Sequence, residues 1–313
     1  MILVTGGTGF IGRVLVRHLS EAGQPVRILL RPSQKTPNLP RGVPVEVSLS
    51  SLDDEPGLRA AMVGVDVVYH LAGVERRGAY ASLLDVDING TRAIVRSAAS
   101  AGVDRIFYLS HIGADRASAY PVFKAKAIAE EYLRRSGIDF TILRTAVVYG
   151  ANDGFTTGLA QLLHALPFFF LVPGQGDTLL QPLWVEDLVT CLVWALDDDG
   201  TRDQMFEVGG PEFLTFVEVA QLVMDHLGTQ RRFVFLHPPY MRALTIFLEN
   251  LLPSIPVSVY WLDYLAANRT CSLDTIPRFF NLMPTRMAQR LAYLEGRNWR
   301  RAFWRSIMRR QPI

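Results

Sequence analysis

The stretch AYPVFKAKAIAE, residues 119–130, sets Tyr120 and Lys124 four positions apart at the start of a helical pattern. Residues at that spacing share one helix face. The chain holds three lysines, Lys35, Lys124 and Lys126, against 29 arginines, so a lysine at any chosen offset from a tyrosine is uncommon. By itself the spacing leaves two readings open, a catalytic pair or two helix residues at an accidental interval. A second stretch has clearer chemistry. MILVTGGTGFIGRVLVRHL (1–19) turns through Gly6, Gly9 and Gly12 between a strand-like run and an amphipathic helix. Glycines so placed permit a tight turn and close approach of backbone to a pyrophosphate, while the helix N-terminus attracts its charge. A dinucleotide is expected there.

The next strand, PVRILLR, ends in Arg31, where an NAD-binding protein carries an acid for the ribose hydroxyls. Between Gly12 and Glu46 the sole acid is Glu21, on the first helix. Arg31, with Ser33 and Lys35 nearby, suits a 2′-phosphate, so NADP(H) is expected in preference to NAD(H), which stays possible.

The elements that must position these groups follow a regular order. Through residue 150, short apolar runs (MILVTG, PVRILLR, VPVEVSL, VDVVYHLAG, RIFYLS, DFTILR) alternate with helical patterns at 10–22, 53–63, 82–101 and 120–136. Nearly all-apolar strands alternating with helices imply a parallel sheet covered on both faces. The expected fold class is α/β, a doubly wound parallel Rossmann sheet over 1–150. A smaller α+β substrate or partner region, 151–296, returns to the sheet in part, and 297–313 forms a basic amphipathic helix.

In their order and approximate spacing, TGGTGFIG, DVVYHLAG, NGT, FYLS, YPVFKAKAIAE and LRTAVVYG resemble the extended and atypical branches of the short-chain dehydrogenase/reductase superfamily. The likeness is strong over 1–150, moderate over 174–225 and weak beyond 226. It is nearest to the atypical group of NmrA-like proteins and the NADPH-binding accessory subunit of respiratory complex I. The resemblance implies that Tyr120 is the acid–base tyrosine. It implies that Lys124 holds the nicotinamide ribose and lowers the phenol's pKa, and that Ser110 holds the substrate oxygen. It implies further cofactor contacts from Thr8, Phe10, Ile11, Ser51, Leu52, Leu71, Ala72, Gly73, Thr145 and Val147. The sequence departs from the family pattern at several positions: Ser51–Leu52 follow the third strand where an aspartate is usual, Asp87 stands where an asparagine is frequent, His111 follows Ser110 in place of a second serine, Ser110 lies only ten residues before Tyr120, and Thr145 follows Arg144 where proline is common. The implied activity is an NADP(H)-dependent oxidoreductase or epimerase acting on an apolar carbonyl or alcohol. The alternative is an NADP(H)-binding structural subunit or assembly factor of a membrane-associated complex.

The remaining features bound these readings. At 313 residues and 49% hydrophobic, the chain can bury a large core. Cys191 and Cys271 form no ligand-like spacing, and no metal is expected. No basic leader precedes MILVT and no apolar run reaches a membrane span, so a cytoplasmic protein, peripheral on a membrane at most, is expected. His70 reads as a sheet-end residue with a satisfied ring. Residues 297–313 carry six arginines and no acid, with Trp299, Phe303 and Ile307 at i, i+4 and i+8. That composition suits an interfacial helix or one docking on an acidic partner, against the alternative of a helix packing on its own domain. No second basic cluster extends it, so nucleic acid is not expected.

Overall fold

Residues 1–313 of the computed structural model are described here apart from 34–38, 40–41, 75–76, 79–80, 253–254 and 309–313. Lys35 and the last two arginines of the tail lie outside the described residues. The first half runs β1 (Ile2–Thr5), α1 (Phe10–Glu21), β2 (Val26–Leu30), β3 (Glu46–Leu49), α2 (Glu55–Ala61), β4 (Val67–His70), α3 (Thr91–Ala101), β5 (Arg105–His111), α4 (Pro121–Arg134) and β6 (Asp139–Thr145). The second continues through β7 (Val148–Tyr149), α5 (Thr156–Ala165), β8 (Phe169–Pro173), β9 (Leu179–Leu180), β10 (Leu183–Trp184), α6 (Val185–Trp194) and β11 (Gln204–Val208). It closes with β12 (Leu214–Thr215), α7 (Phe216–His226), β13 (Arg232–Leu236), α8 (Pro238–Leu251), α9 (Val259–Tyr264), α10 (Thr275–Phe280) and α11 (Trp299–Met308).

Seven strands pair in the order β11-β6-β5-β4-β1-β2-β3, every neighbour parallel. The period of two along β1 sends Ile2 and Val4 to one face and Leu3 to the other. Ile2 and Val4 pack with Leu15 and Leu19 of α1 and Leu188 and Leu192 of α6. Leu3 packs with Leu58 of α2, Ile94 of α3 and Leu133 of α4. Covering both faces explains the near-continuous apolar strands of the sequence. The doubly wound α/β sheet expected from the alternation is therefore present.

The chain after residue 150 does not stay apart from the sheet. It returns α6 and α10 to one face and adds β11 beside β6, Gln204 opposite Thr141. Around its own core, Phe155, Leu159 and Leu163 of α5 meet Phe170, Val172, Phe216 and Val223.

Two local findings differ from the sequence reading. The helix expected over 82–101 is α-helical only from Thr91, because Leu84–Gly90 winds as a π-helical turn. Such turns insert an extra residue and redirect side chains, often at functional sites. In α11, Trp299 is 3% exposed and Phe303 8%, and Trp299 Nε1 donates to Leu294 O at 2.8 Å. Trp299 of the stripe offered above to a membrane or partner thus packs into the chain's own second core, Phe303 is buried, and Ile307 is partly exposed. Trp304 and Met308 are the large apolar groups of α11 left exposed. Among the described residues no helix is long and apolar enough to cross a membrane.

Candidate functional site

In open parallel sheets the crevice forms beyond the carboxyl ends of the strands, where the strand order reverses. Here the reversal falls between β1 and β4. The glycine turn crosses this point. Gly6 adopts φ +70°, and a Cβ on it would lie 2.7 Å from the Leu71 carbonyl carbon. A Cβ on Gly12 would lie 2.2 Å from Gly6 O. Side chains are excluded from both places, so bare backbone and the N-terminus of α1 face the crevice. That is the cradle a pyrophosphate requires.

A cleft of about 890 Å³ runs from this loop along the ends of β2, β3 and β4, lined by Gly6, Thr8, Gly9, Arg31, Ser51, Leu52, Leu71, Ala72 and Gly73. An inner recess of about 240 Å³ shares Gly6, Gly9, Leu71 and Gly73 with it and adds Phe10, Ile11, Gly12, Ser110, Thr145 and Val147. The structure thus brings the glycine turn, Thr8, Phe10, Ile11, Arg31, Ser51, Leu52, Leu71, Ala72, Gly73, Ser110, Thr145 and Val147 to one crevice; Ser33, Tyr120 and Lys124 do not line it, and Lys35 lies outside the described residues. Ser110 Oγ is buried and has no hydrogen-bond partner among the described residues. Arg31 is exposed at the outer end.

The lysine that lines the recess is Lys126, not the Lys124 that the Tyr120–Lys124 spacing singled out. Tyr120 is the N-cap of α4 and Pro121 its first residue. Two residues of helix rotate a side chain by roughly 200°, so Lys124 and Lys126 cannot share a face. Val122, Lys126 and Glu130 face inward and are buried, whereas Lys124 is exposed. Lys126 Nζ lies 3.0 Å from Asp87 Oδ1, with the two side chains 5% and 0% exposed. Four positions before Lys126 stands Val122, and Tyr120 lines neither part of the crevice. One turn on, Glu130 accepts bidentate hydrogen bonds from Arg144 at 2.9 and 2.7 Å, fixing α4 against β6.

The crevice holds several groups to which the sequence assigned no part in the site. Asp87 comes from the π-helical turn, takes the place where an asparagine is frequent, and ion-pairs directly with Lys126. Asp53 lines the outer cleft two residues past Ser51, and a hydrogen bond from Ser51 holds its carboxyl below the usual range. His111 lines the recess with Tyr260, Trp261 and Tyr264 of α9, its ring about 6 Å from those of Phe123, Tyr260 and Tyr264. Asp87 was visible as a departure from the motif. The α9 aromatics come from about 150 residues further along the chain, and no local pattern connects them to the glycine loop.

His70 ends β4 and is buried. Its Nδ1 lies 2.7 Å from Thr5 Oγ1 and its Nε2 3.0 Å from Thr91 Oγ1, the satisfied ring expected of a sheet-end residue. Burial, with Lys126 nearby, pushes its pKa down to about 3. Between that value and the ordinary 6.5 the unfolded chain binds a proton that the folded chain refuses. Stability from this group is therefore complete above pH 6.5 and falls by about 1.4 kcal/mol per unit as pH drops toward 3. The stability difference between wild type and His70→Gln, measured by urea unfolding at several pH values, should shrink steadily below pH 6.5. A difference constant across that range would show that His70 does not titrate on unfolding.

Comparison with known proteins places this geometry. A family model described as NAD(P)H-binding matches residues 6–164. The mitochondrial NADH dehydrogenase (ubiquinone) 1 alpha subcomplex subunit 9 of Arabidopsis thaliana is 29% identical over 284 residues, covering 86% of this chain and 70% of that one. An NAD(P)H azoreductase of Xenophilus azovorans is 28% identical over 289 residues, covering 89% and 92%. The chain spans less than two thirds of the length of other respiratory subunits that it matches. Among solved structures, the NADPH-dependent quinone oxidoreductase QOR2 of Escherichia coli, in complex with NADPH, superposes with a TM-score of 0.73 at 20% identity, covering 94% of this chain and 99% of that one. With the glycine cradle, the parallel sheet and a family match over half its length, the chain belongs to the NAD(P)H-binding family and has the fold of the short-chain dehydrogenase/reductase superfamily.

Proposed function

We propose that the chain is an NADP(H)-preferring oxidoreductase or epimerase of the atypical short-chain type, acting on an apolar carbonyl or alcohol. The observation that carries this reading is the continuous crevice with Arg31 at one end and the buried Lys126–Asp87 pair beside Ser110 and His111 at the other. The nicotinamide, when bound, supplies or takes up hydride. Lys126 is placed to donate hydrogen bonds to ribose hydroxyls, and Asp87 keeps its ammonium fixed. The Ser110 hydroxyl can donate to a substrate oxygen, and the His111 ring is the proton-transfer group that the recess offers where the family pattern would place a phenol. Tyr260, Trp261 and Tyr264 wall the recess against water.

A second reading, a structural NADP(H)-binding subunit of a membrane-associated complex, is favoured by position 122, because a valine stands four residues before Lys126, where an i, i+4 catalytic pair would carry a phenol. In that reading the exposed Trp304 and Met308 and the arginines of α11 would meet the partner or the membrane surface.

The test measures affinity and turnover together. NADPH should bind at least tenfold more tightly than NADH, and Arg31→Ala should remove most of the difference. A charge-assisted contact to a 2′-phosphate is worth roughly 1.5–3 kcal/mol, which corresponds to ten- to hundredfold. NADPH consumption with medium-chain aldehydes supports the oxidoreductase reading. Tight NADPH binding without consumption across aldehydes, ketones and quinones supports the structural one. Equal affinities for NADPH and NADH in the wild type remove the role given to Arg31.

A further inference from the structure

Behind the recess lies a second cavity of about 350 Å³. It is bounded by α5, β8, α8, α9 and α11, with Leu159, Phe170, Leu244, Leu248, Leu262 and Phe303 on its walls. Its volume falls within the roughly 300–1,000 Å³ typical of small-molecule sites, and it is about twice the ~150 Å³ apolar cavity that takes up a benzene molecule.

Helix α9 is the partition between the two spaces. Tyr260 and Tyr264, one turn apart, face the recess, Leu262 and Leu265 face the apolar cavity, and Trp261 borders both. On the cavity side the Trp261 ring meets Phe155 at 5.0 Å. Ser258, which caps α9, and Thr245 of α8 both line the cavity. Their hydroxyls are buried and have no hydrogen-bond partner among the described residues. A buried hydroxyl is costly without one, so an additional oxygen along the chain of a ligand lying in the cavity would be held there.

Resting on the oxidoreductase reading above, we infer that the substrate is a carbonyl or alcohol head on a long hydrocarbon chain, with the head in the recess beside Ser110 and His111 and the chain passing Trp261 into the apolar cavity. The polar groups at one end and the apolar walls at the other then serve one amphiphilic molecule. A small or wholly polar substrate would have no use for the second space.

The probes are straight-chain primary alcohols of increasing length, hexanol through dodecanol, titrated calorimetrically onto the full chain with and without saturating NADPH. Affinity should climb about fourfold per methylene and level off once the cavity is full. Leu248→Trp, which fills the cavity, should flatten the climb while leaving NADPH affinity and the thermal midpoint unchanged. Leu244→Phe serves the same purpose if the first variant folds poorly. A series that is flat in the wild type, or that climbs equally in both filled variants, overturns the assignment. Because NADPH binding is measured in the same samples, a chain that binds no NADPH defeats the oxidoreductase reading, whereas a flat alcohol series with NADPH bound defeats only the cavity.

Discussion

Lys126→Ala should cost the protein several kcal/mol of stability and at least tenfold in NADPH affinity, while Lys124→Ala should leave both nearly unchanged. The Asp87 side chain is fully buried and its carboxylate faces the Lys126 ammonium at 3.0 Å. Removing one partner of a buried pair leaves an uncompensated charge, typically worth about 3–5 kcal/mol. Cofactor affinity falls separately, because charge-assisted hydrogen bonds to the ribose disappear, each worth roughly 1.5–3 kcal/mol. The double variant Lys126→Met with Asp87→Leu divides the two effects. Replacing both ions by apolar groups of similar size is often neutral for stability, so the fold should recover and NADPH binding should not. Urea unfolding and NADPH titration on the four proteins measure both quantities. Loss of NADPH affinity in Lys124→Ala comparable to that in Lys126→Ala would return the working lysine to the position that the Tyr120 spacing suggested.

That contrast shows what the sequence could and could not disclose. The strand–helix alternation, the glycine turn and the basic end of β2 depend on neighbours within one supersecondary unit, so their placement in the crevice was legible from local pattern. The choice between Lys124 and Lys126 depended on helix phase near an N-terminus. Tyr120 looked like the first member of an i, i+4 pair, yet it is the N-cap, outside the helix proper. The inward face of α4 is set by Val122, Phe123, Ala129 and Leu133, all buried, and Lys126 and Glu130 lie among them because each has an ionic partner on another element. A lysine on an apolar stripe looks like an error until its partner is known. That partner comes from a π-helical turn, which helical periodicity does not anticipate. The aromatic wall of α9 is a tertiary fact with no local signature.

The tail carries the second large effect. Trp299→Ala should destabilise the protein by about 3–5 kcal/mol, the usual cost of emptying a buried tryptophan site, and deleting 297–313 should cost more. Trp299 sits in the second core and makes a buried hydrogen bond to Leu294 O, and Phe303 lines the apolar cavity. Trp304, one residue away and 53% exposed, is the internal control, and Trp304→Ala should change stability by no more than about 0.5 kcal/mol. A combined surface variant separates packing from surface attachment. Should α11 also meet an anionic surface, Trp304→Ala combined with Arg300→Gln and Arg301→Gln should reduce sedimentation with anionic liposomes, and only at low salt, since screening weakens exposed charges. Trp299→Ala would act on the fold whether lipid is present or absent. A truncated chain as stable as the full one would mean that the aromatic face of α11 contributes little to the core and is available to a partner. Loss of stability in step with loss of Trp299 would place α11 within the domain it packs on, with its arginines and Trp304 as the surface left over for anything else.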